Sequence, residues 1–200
     1  MIIGITGSIA TGKTYVEKII KDKGYRVIDA DVIAHQALYR NTEVYQKTVV
    51  AFGDGILNKN QSINRNKLGR IVFQNPDKKR LLENLIHPFV INKMRQKIAQ
   101  TKKKELFFIS VPLLYEANIE KMFDFIIVVY TSEEKQLERL INRDKIDKKL
   151  ALLKIASQLP LEIKKQKAHF IIDNEIDGQE QLNKKIDKIL QEIEEKANEI

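Results

Sequence analysis

The stretch Gly7-Ser8-Ile9-Ala10-Thr11-Gly12-Lys13-Thr14 restricts the fold more than any other part of the chain. It satisfies G-x-x-x-x-G-K-[ST], with Gly7, Gly12, Lys13 and Thr14 on the fixed positions. Glycines let such a loop curl until successive N–H groups converge on phosphate oxygens. The following helix adds the positive end of its dipole. The lysine ammonium reaches the terminal phosphates, and the threonine hydroxyl is placed for a magnesium ion. The loop works only between a strand and a helix. Met1-Ile2-Ile3-Gly4-Ile5-Thr6 reads as a short buried strand, and Val16, Ile19 and Ile20 follow at helical spacing. The expectation is a nucleoside triphosphate site.

Composition narrows the setting. A chain of 200 residues, 43% hydrophobic and 31% charged, can bury a sizeable core. It has no cysteine, which excludes disulfides and thiolate metal sites and suits a reducing compartment. No apolar run approaches the ~18 residues that a membrane span needs. The N-terminus lacks the basic region of a signal peptide, so a cytoplasmic protein is expected. The net charge of +8, from 35 Lys plus Arg against 27 Asp plus Glu, suits a polyanionic partner. The lysines are nevertheless scattered beside glutamates, as around Glu192, Glu194, Glu195 and Lys196. Lys102, Lys103 and Lys104 fall at an expected helix end, where cations are favoured. No aromatic residues interleave with a basic stripe, so no nucleic-acid partner is expected.

Gly24 reads as a helix cap and Arg26-Val27-Ile28-Asp29 as the second strand, which runs into Asp29-Ala30-Asp31. Acidic residues at the carboxyl end of a strand face the crevice where open α/β sheets bind ligands. Asp31 is therefore a candidate for holding magnesium or positioning an attacking hydroxyl. The alternative is that an aspartate here caps a helix over Val32–Tyr39. From Ile33 to about Gln100 the pattern is helical and polar, with a turn near Gly53-Asp54-Gly55 and a helix start at Asn75-Pro76. Leu81, Leu82, Leu85, Ile86, Phe89 and Val90 share one apolar face, which Pro88 is expected to break near His87. His87 is then either exposed to a ligand or structural.

Leu106–Val111 and Asp124–Tyr130 read as strands covered on both faces. Ser132 opens a helix that carries Leu137 and Leu140 inward and sets Arg139 and Arg143 on one face. Two such arginines can clamp a phosphoryl group, or pair in solvent with Glu138 or Asp144. The lysine-dense pieces from Asp144 to Lys167, with a stop at Leu159-Pro160, suit a lid. His169–Asp173 is the last strand. From Asp177, Leu182, Ile186, Ile189, Ile193 and Ile200 describe an amphipathic helix. Alternating strands and helices give an α/β fold with a mainly parallel five-stranded sheet.

A GTPase needs D-x-x-G and N-K-x-D, and neither occurs. A nucleic-acid-handling ATPase wants an acid after the third strand, which here ends in Ser110. A small-molecule kinase fits the size and the interruptions.

The series of motifs resembles the dephospho-CoA kinase family over nearly the whole chain. It comprises Gly4-Ile5-Thr6-Gly7 with Thr11-Gly12-Lys13-Thr14, then Val27-Ile28-Asp29-Ala30-Asp31 and Leu85-Ile86-His87-Pro88. Pro112-Leu113-Leu114-Tyr115-Glu116, Gln136-Leu137-Glu138-Arg139 and Arg143-Asp144 follow. Gln158-Leu159-Pro160 and Ile171-Ile172-Asp173-Asn174 complete it. Adenylate, thymidylate and shikimate kinases share the loop but not this series.

The resemblance implies a P-loop kinase with a core over 1–32, 105–138 and 168–200, a helical acceptor-binding insertion over about 33–104, and a lid over about 139–167. It implies transfer of a phosphoryl group from ATP to the ribose 3′-hydroxyl of dephospho-CoA, with Mg²⁺ as cofactor. Asp31, Lys13 and Arg139 take the catalytic positions. Gly7, Ala10, Thr11, Gly12, Lys13, Thr14, Tyr15, Arg143 and Asn174 fall at the ATP, with Asn174 near adenine. Asp31, His87, Leu114 and Glu116 fall at the acceptor, and Thr14 and Asp31 at the metal. A carboxylate is only weakly basic at neutral pH, so Asp31 is expected to orient the nucleophile by hydrogen bonding. Two positions depart from the family. The loop carries Ser8 and Ala10 where members are richer in glycine, and Ser110 stands where many have aspartate.

Overall fold

The computed structural model describes residues 1–102, 104–175 and 178–199. Lys103 of the lysine run, Asp177 at the expected start of the last helix, and Ile200 lie outside the described residues. Two compact units are present: Met1–Asp29 with Thr101–Ile200, and Ala30–Gln100.

The first unit holds a five-stranded sheet of β1 (Ile2–Gly7), β2 (Arg26–Asp29), β3 (Phe107–Ser110), β4 (Phe125–Tyr130) and β5 (Phe170–Asp173). Its order is β2-β3-β1-β4-β5, and every described pairing is parallel. Parallel strands covered on both faces read as continuous apolar runs, and Phe107–Ser110 is buried at every residue. One face carries α1 (Lys13–Asp22) and α9 (Gln179–Asn198). There Val16, Ile19 and Ile20 meet Leu182, Ile186, Leu190 and Ile193 over Ile3, Ile5, Phe108 and Ile127. On the other face a side chain at Gly4 would strike Leu114 and Phe123 at 2.8 and 3.1 Å, so that strand position must be glycine for close approach. The short helix α8 (Leu161–Gln166) packs on β4. Two further helices, α6 (Glu133–Asp144) and α7 (Lys148–Ala156), lie between β4 and α8 in the chain.

The strands match the expected segments, each to within one residue at either end. Gly24 stands at φ 90° after α1 and donates to Lys21 O, as a helix cap should. Ser132 caps α6 by accepting from Lys135 N. Oε1 of Glu175 also accepts from Ser132 N and from Thr131 Oγ1, and these bonds hold the Glu175 carboxyl below its usual range.

The second unit is helical: α2 (Ala30–Ala37), α3 (Glu43–Phe52), α4 (Arg65–Gln74) and α5 (Pro76–Ala99), around a small core of Ile56, Ile63 and Leu68. An antiparallel bridge joins Leu57 to Ile63. Three expectations need correction here. The helix after β2 spans Ala30–Ala37 rather than Val32–Tyr39, so Asp31 sits within its first turn and not at its cap. Pro88 does not break the apolar helix: α5 runs 24 residues through it. Proline removes the bond to Asn84 O, but both residues are exposed and water can reach the freed carbonyl. The helix also stops at Ala99, short of the lysine run, where Lys102 N instead donates to Glu105 Oε2. Asn75 caps α5 as expected, its side chain accepting from Asp77 N and Lys78 N.

Candidate active site

β1 delivers the glycine loop at its carboxyl end, and α1 begins at Lys13 immediately after it. Gly12 stands at φ 89°, a conformation open to glycine, and its carbonyl accepts from Tyr15 N and Val16 N. Ala10 also takes a positive φ, 61°, so the alanine that replaces glycine here sits in the left-handed region. The N–H groups of Lys13 and Thr14 belong to the first turn of a helix, whose donors lack intrahelical partners.

Two glutamines grip the tip of this loop. Gln136 Nε2 donates to Ser8 Oγ and Ile9 O at 2.9 and 2.7 Å. Gln158 Oε1 accepts from Ser8 Oγ and Ile9 N, both at 2.8 Å. From the far side, Asn174 Nδ2 donates to Thr11 O at 2.8 Å. Arg139 Nη2 in turn donates to Asn174 O at 3.0 Å. Arg139 Nη1 is buried with no hydrogen-bond partner among the described residues, and it lies 4.0 Å from where a Gly12 Cβ would stand. A buried guanidinium N–H without an acceptor is costly, and an anion at the loop would satisfy it. Gly12, Tyr15, Arg139 and Asn174 together line a cavity of about 330 Å³ that extends to Gly178 and Leu182. Lys13 is folded back on its own helix, with Nζ 2.8 Å from Glu17 Oε1 and 2.5 Å from Ser110 Oγ.

The dephospho-CoA kinase family profile matches residues 1–180. The chain is 42% identical to the dephospho-CoA kinase of Fusobacterium nucleatum over 193 residues, covering 96% of this chain and 98% of that one. The Halalkalibacterium halodurans enzyme of that name is 39% identical over 177 residues, with 87% and 88% covered. Among solved structures, the dephospho-CoA kinase from Campylobacter jejuni superposes with a TM-score of 0.74 at 34% identity, and 97% of each chain is covered. A shikimate kinase from Bacteroides thetaiotaomicron, 12% identical with a TM-score of 0.52 and covering 97% and 98%, shares the fold alone.

The chain belongs to the dephospho-CoA kinase family. It is an enzyme of the P-loop kinase fold, from the family that completes coenzyme A synthesis.

Within this family member the expected site residues separate. Gly7, Ala10, Thr11, Gly12, Lys13, Thr14, Tyr15, Arg139 and Asn174 lie on or around the loop. Arg143 does not join them: it is exposed, and its Nε donates to Asp144 Oδ1 at 2.8 Å. Leu114 is fully buried against Gly4, so its side chain packs the sheet and presents nothing to a ligand. Glu116 is taken up structurally, with Oε1 accepting from Leu159 N at 2.9 Å and from Lys164 Nζ at 2.8 Å. Asp31 and His87 belong to the second unit, Asp31 in the first turn of α2 and His87 exposed on α5. That unit has its own cavity of about 720 Å³, lined by residues such as Tyr39, Lys47, Pro88 and Phe89, and His87 is not among them.

Four residues at the loop escaped the sequence reading as functional groups: Glu17, Gln136, Gln158 and Lys164. The two glutamines stand inside quoted motifs, so a signal existed, but only the fold brings them to Ser8. Glu17 and Lys164 look in sequence like ordinary charges on helices.

Proposed function

We propose that this protein transfers the γ-phosphoryl group of ATP to the ribose 3′-hydroxyl of dephospho-CoA, giving coenzyme A and ADP. The observation that carries this reading is the glycine loop with an unpaired, buried Arg139 N–H beside it, in a chain of this family. Phosphoryl transfer asks the protein for positioning and charge neutralisation more than for covalent chemistry. The loop N–H groups and the start of α1 receive the phosphates, Lys13 leaves Glu17 for the terminal oxygens, and Arg139 meets the charge that develops there. Asn174 and Tyr15 bound the nucleotide's cavity. Asp31, two residues beyond β2, orients the acceptor hydroxyl, and His87 belongs to acceptor binding. The segment over about 139–167 closes as a lid.

Mg²⁺ is the cofactor of this reading: the Thr14 hydroxyl at the start of α1 is an oxygen donor of the kind it takes, and the Asp31 carboxylate is nominated as a further ligand. When bound, it neutralises charge shared between the β- and γ-phosphates. We further propose a cytoplasmic enzyme whose partners are ATP and dephospho-CoA, with no nucleic acid and no membrane. Supporting this, its lysines pair with glutamates along helices, as in Lys47–Glu43 and Lys184–Glu180, and none of the described helices is long and apolar enough to cross a membrane.

The test is ADP release from ATP and Mg²⁺ with dephospho-CoA, adenosine or shikimate as acceptor. Turnover with dephospho-CoA alone is expected, and silence with every acceptor rejects the reading. Asp31→Asn should lower the rate more than about tenfold, or ~1.4 kcal/mol, while ATP still binds. A variant keeping over a tenth of the rate removes Asp31 from its role.

A further inference from the structure

Lys13 sits in an arrangement that phosphate binding has to undo. Its Nζ contacts Glu17 Oε1 at 2.8 Å and Ser110 Oγ at 2.5 Å. Ser110 Oγ donates to that same Glu17 oxygen at 2.6 Å. The Glu17 residue is 2% exposed and Ser110 is fully buried, so this carboxylate has been removed from water. A buried charge is tolerated when it is paired and hydrogen-bonded, and here Lys13 and Ser110 supply both.

The place where this happens matters. Ser110 ends β3, beside the loop strand β1, in register with Ile5 on one side and Asp29 on the other. In phosphate-loop enzymes the loop threonine or serine shares the metal with an acid from such a strand end. Here the strand end offers a hydroxyl, and the carboxylate bonded to it comes from the helix. Glu17 follows Lys13 by four residues, so the two share a face of α1, and the exposed Thr14 stands one turn before Glu17 at the mouth of the loop. The Ser110 hydroxyl and the Glu17 carboxylate, 2.6 Å apart, are oxygen donors of the kind a hard divalent cation takes, as is the Thr14 hydroxyl one turn earlier on α1.

The charges then impose an exchange. A triphosphate that draws the Lys13 ammonium to its terminal oxygens strips Glu17 of its cation. A divalent cation arriving with the nucleotide returns positive charge to the same spot. We propose that Glu17, held by Ser110, is the acid of the nucleotide–magnesium site, and that it couples release of Lys13 to arrival of the metal. Glu17 is thus a positioning residue for the phosphates and their cation. The proposal rests on the ATP reading above and deepens it.

Binding without turnover tests it. The Kd of ATP is measured by calorimetry, with no acceptor, once in EDTA and once in excess Mg²⁺. In the wild type magnesium should tighten binding. In Glu17→Gln the EDTA arm should tighten by about fivefold, because Lys13 is no longer held back, and the magnesium enhancement should fall at least about fivefold. Glu17→Gln with Ser110→Asp returns a carboxylate to the strand end and should recover the enhancement. A Glu17→Gln protein whose enhancement stays within about twofold of wild type overturns the proposal, since Glu17 would then only pack Lys13. Thermal unfolding checks that the variant folds. Should it not, Ser110→Ala reads the same coupling, and an unchanged enhancement there also overturns the proposal. A wild-type protein that binds no ATP in either arm removes the ATP reading itself.

Discussion

Lys164 is fully buried, and its ammonium is surrounded by acceptors: Gly7 O at 3.2 Å, Pro112 O at 3.0 Å and Glu116 Oε1 at 2.8 Å. Gly7 is the last residue of β1 and Pro112 lies just beyond β3, so one lysine satisfies backbone carbonyls at the ends of two strands. Lys164→Met keeps the stem's volume, removes two hydrogen bonds and an ion pair, and takes the cation from Glu116, whose Oε2 is already buried and without a partner among the described residues. The expected loss is about 3 kcal/mol in urea unfolding, and a loss under about 1 kcal/mol contradicts this account. Nothing in the sequence distinguishes Lys164 from neighbouring Lys165 and Lys167, because its burial depends on how α8 lies on β4. Glu116 was misread for the same reason. Lys13, by contrast, was legible, since the loop pattern itself fixes where a lysine must stand.

At the scale of elements, helix starts marked by a capping side chain were legible, whereas the start of α2, which follows β2 directly, was not. Asn75, Ser132 and the turn at Gly53 announce themselves by local hydrogen bonding, which sequence encodes directly. Pro88 misled because its cost depends on which side of α5 faces water. Between α6 and α7 the junction is stapled by Asp144, which accepts from Arg143 Nε and Lys154 Nζ, both at 2.8 Å. The bond from Arg143, then that from Lys154, pushes its carboxyl down to about 2. A carboxyl depressed on folding stabilises the fold above its unfolded value near ~4 and loses that contribution as pH falls through the folded one. Solvent screening keeps the contribution below about 1 kcal/mol. Asp144→Asn should therefore be slightly less stable than wild type at pH 6, and the two should converge by about pH 2. Urea midpoints across that range check it, and a difference that persists at the acid end contradicts the assignment.

For the whole molecule, the order of segments is the informative quantity. The sheet unit is assembled from two stretches of chain, and β1 pairs with β3 in the register Ile2 to Phe107. The helical unit is one continuous stretch, Ala30–Gln100. Local contacts form before distant ones, because closing a long loop costs entropy first. Pulse-labelled hydrogen exchange during refolding should show amides of α3 to α5 protected before those of β1 and β3. Simultaneous protection contradicts that order. The sheet and its parallel character were legible because buried parallel strands write continuous apolar runs. The units part at residues 29 and 100, and at the first of these a helix follows a strand directly, which leaves no composition change to mark the boundary.

The glycines of the loop carry a last implication. A side chain at Gly7 would meet Thr11 Oγ1 at 2.7 Å and Val129 O at 2.8 Å, and one at Gly12 would meet Asn174 Nδ2 at 2.1 Å. The Val129 backbone beside Gly7 and the φ of 89° at Gly12 therefore call for both residues before any nucleotide arrives. A descendant that had abandoned catalysis would still be under pressure to keep them, so the glycine signature marks ancestry and architecture.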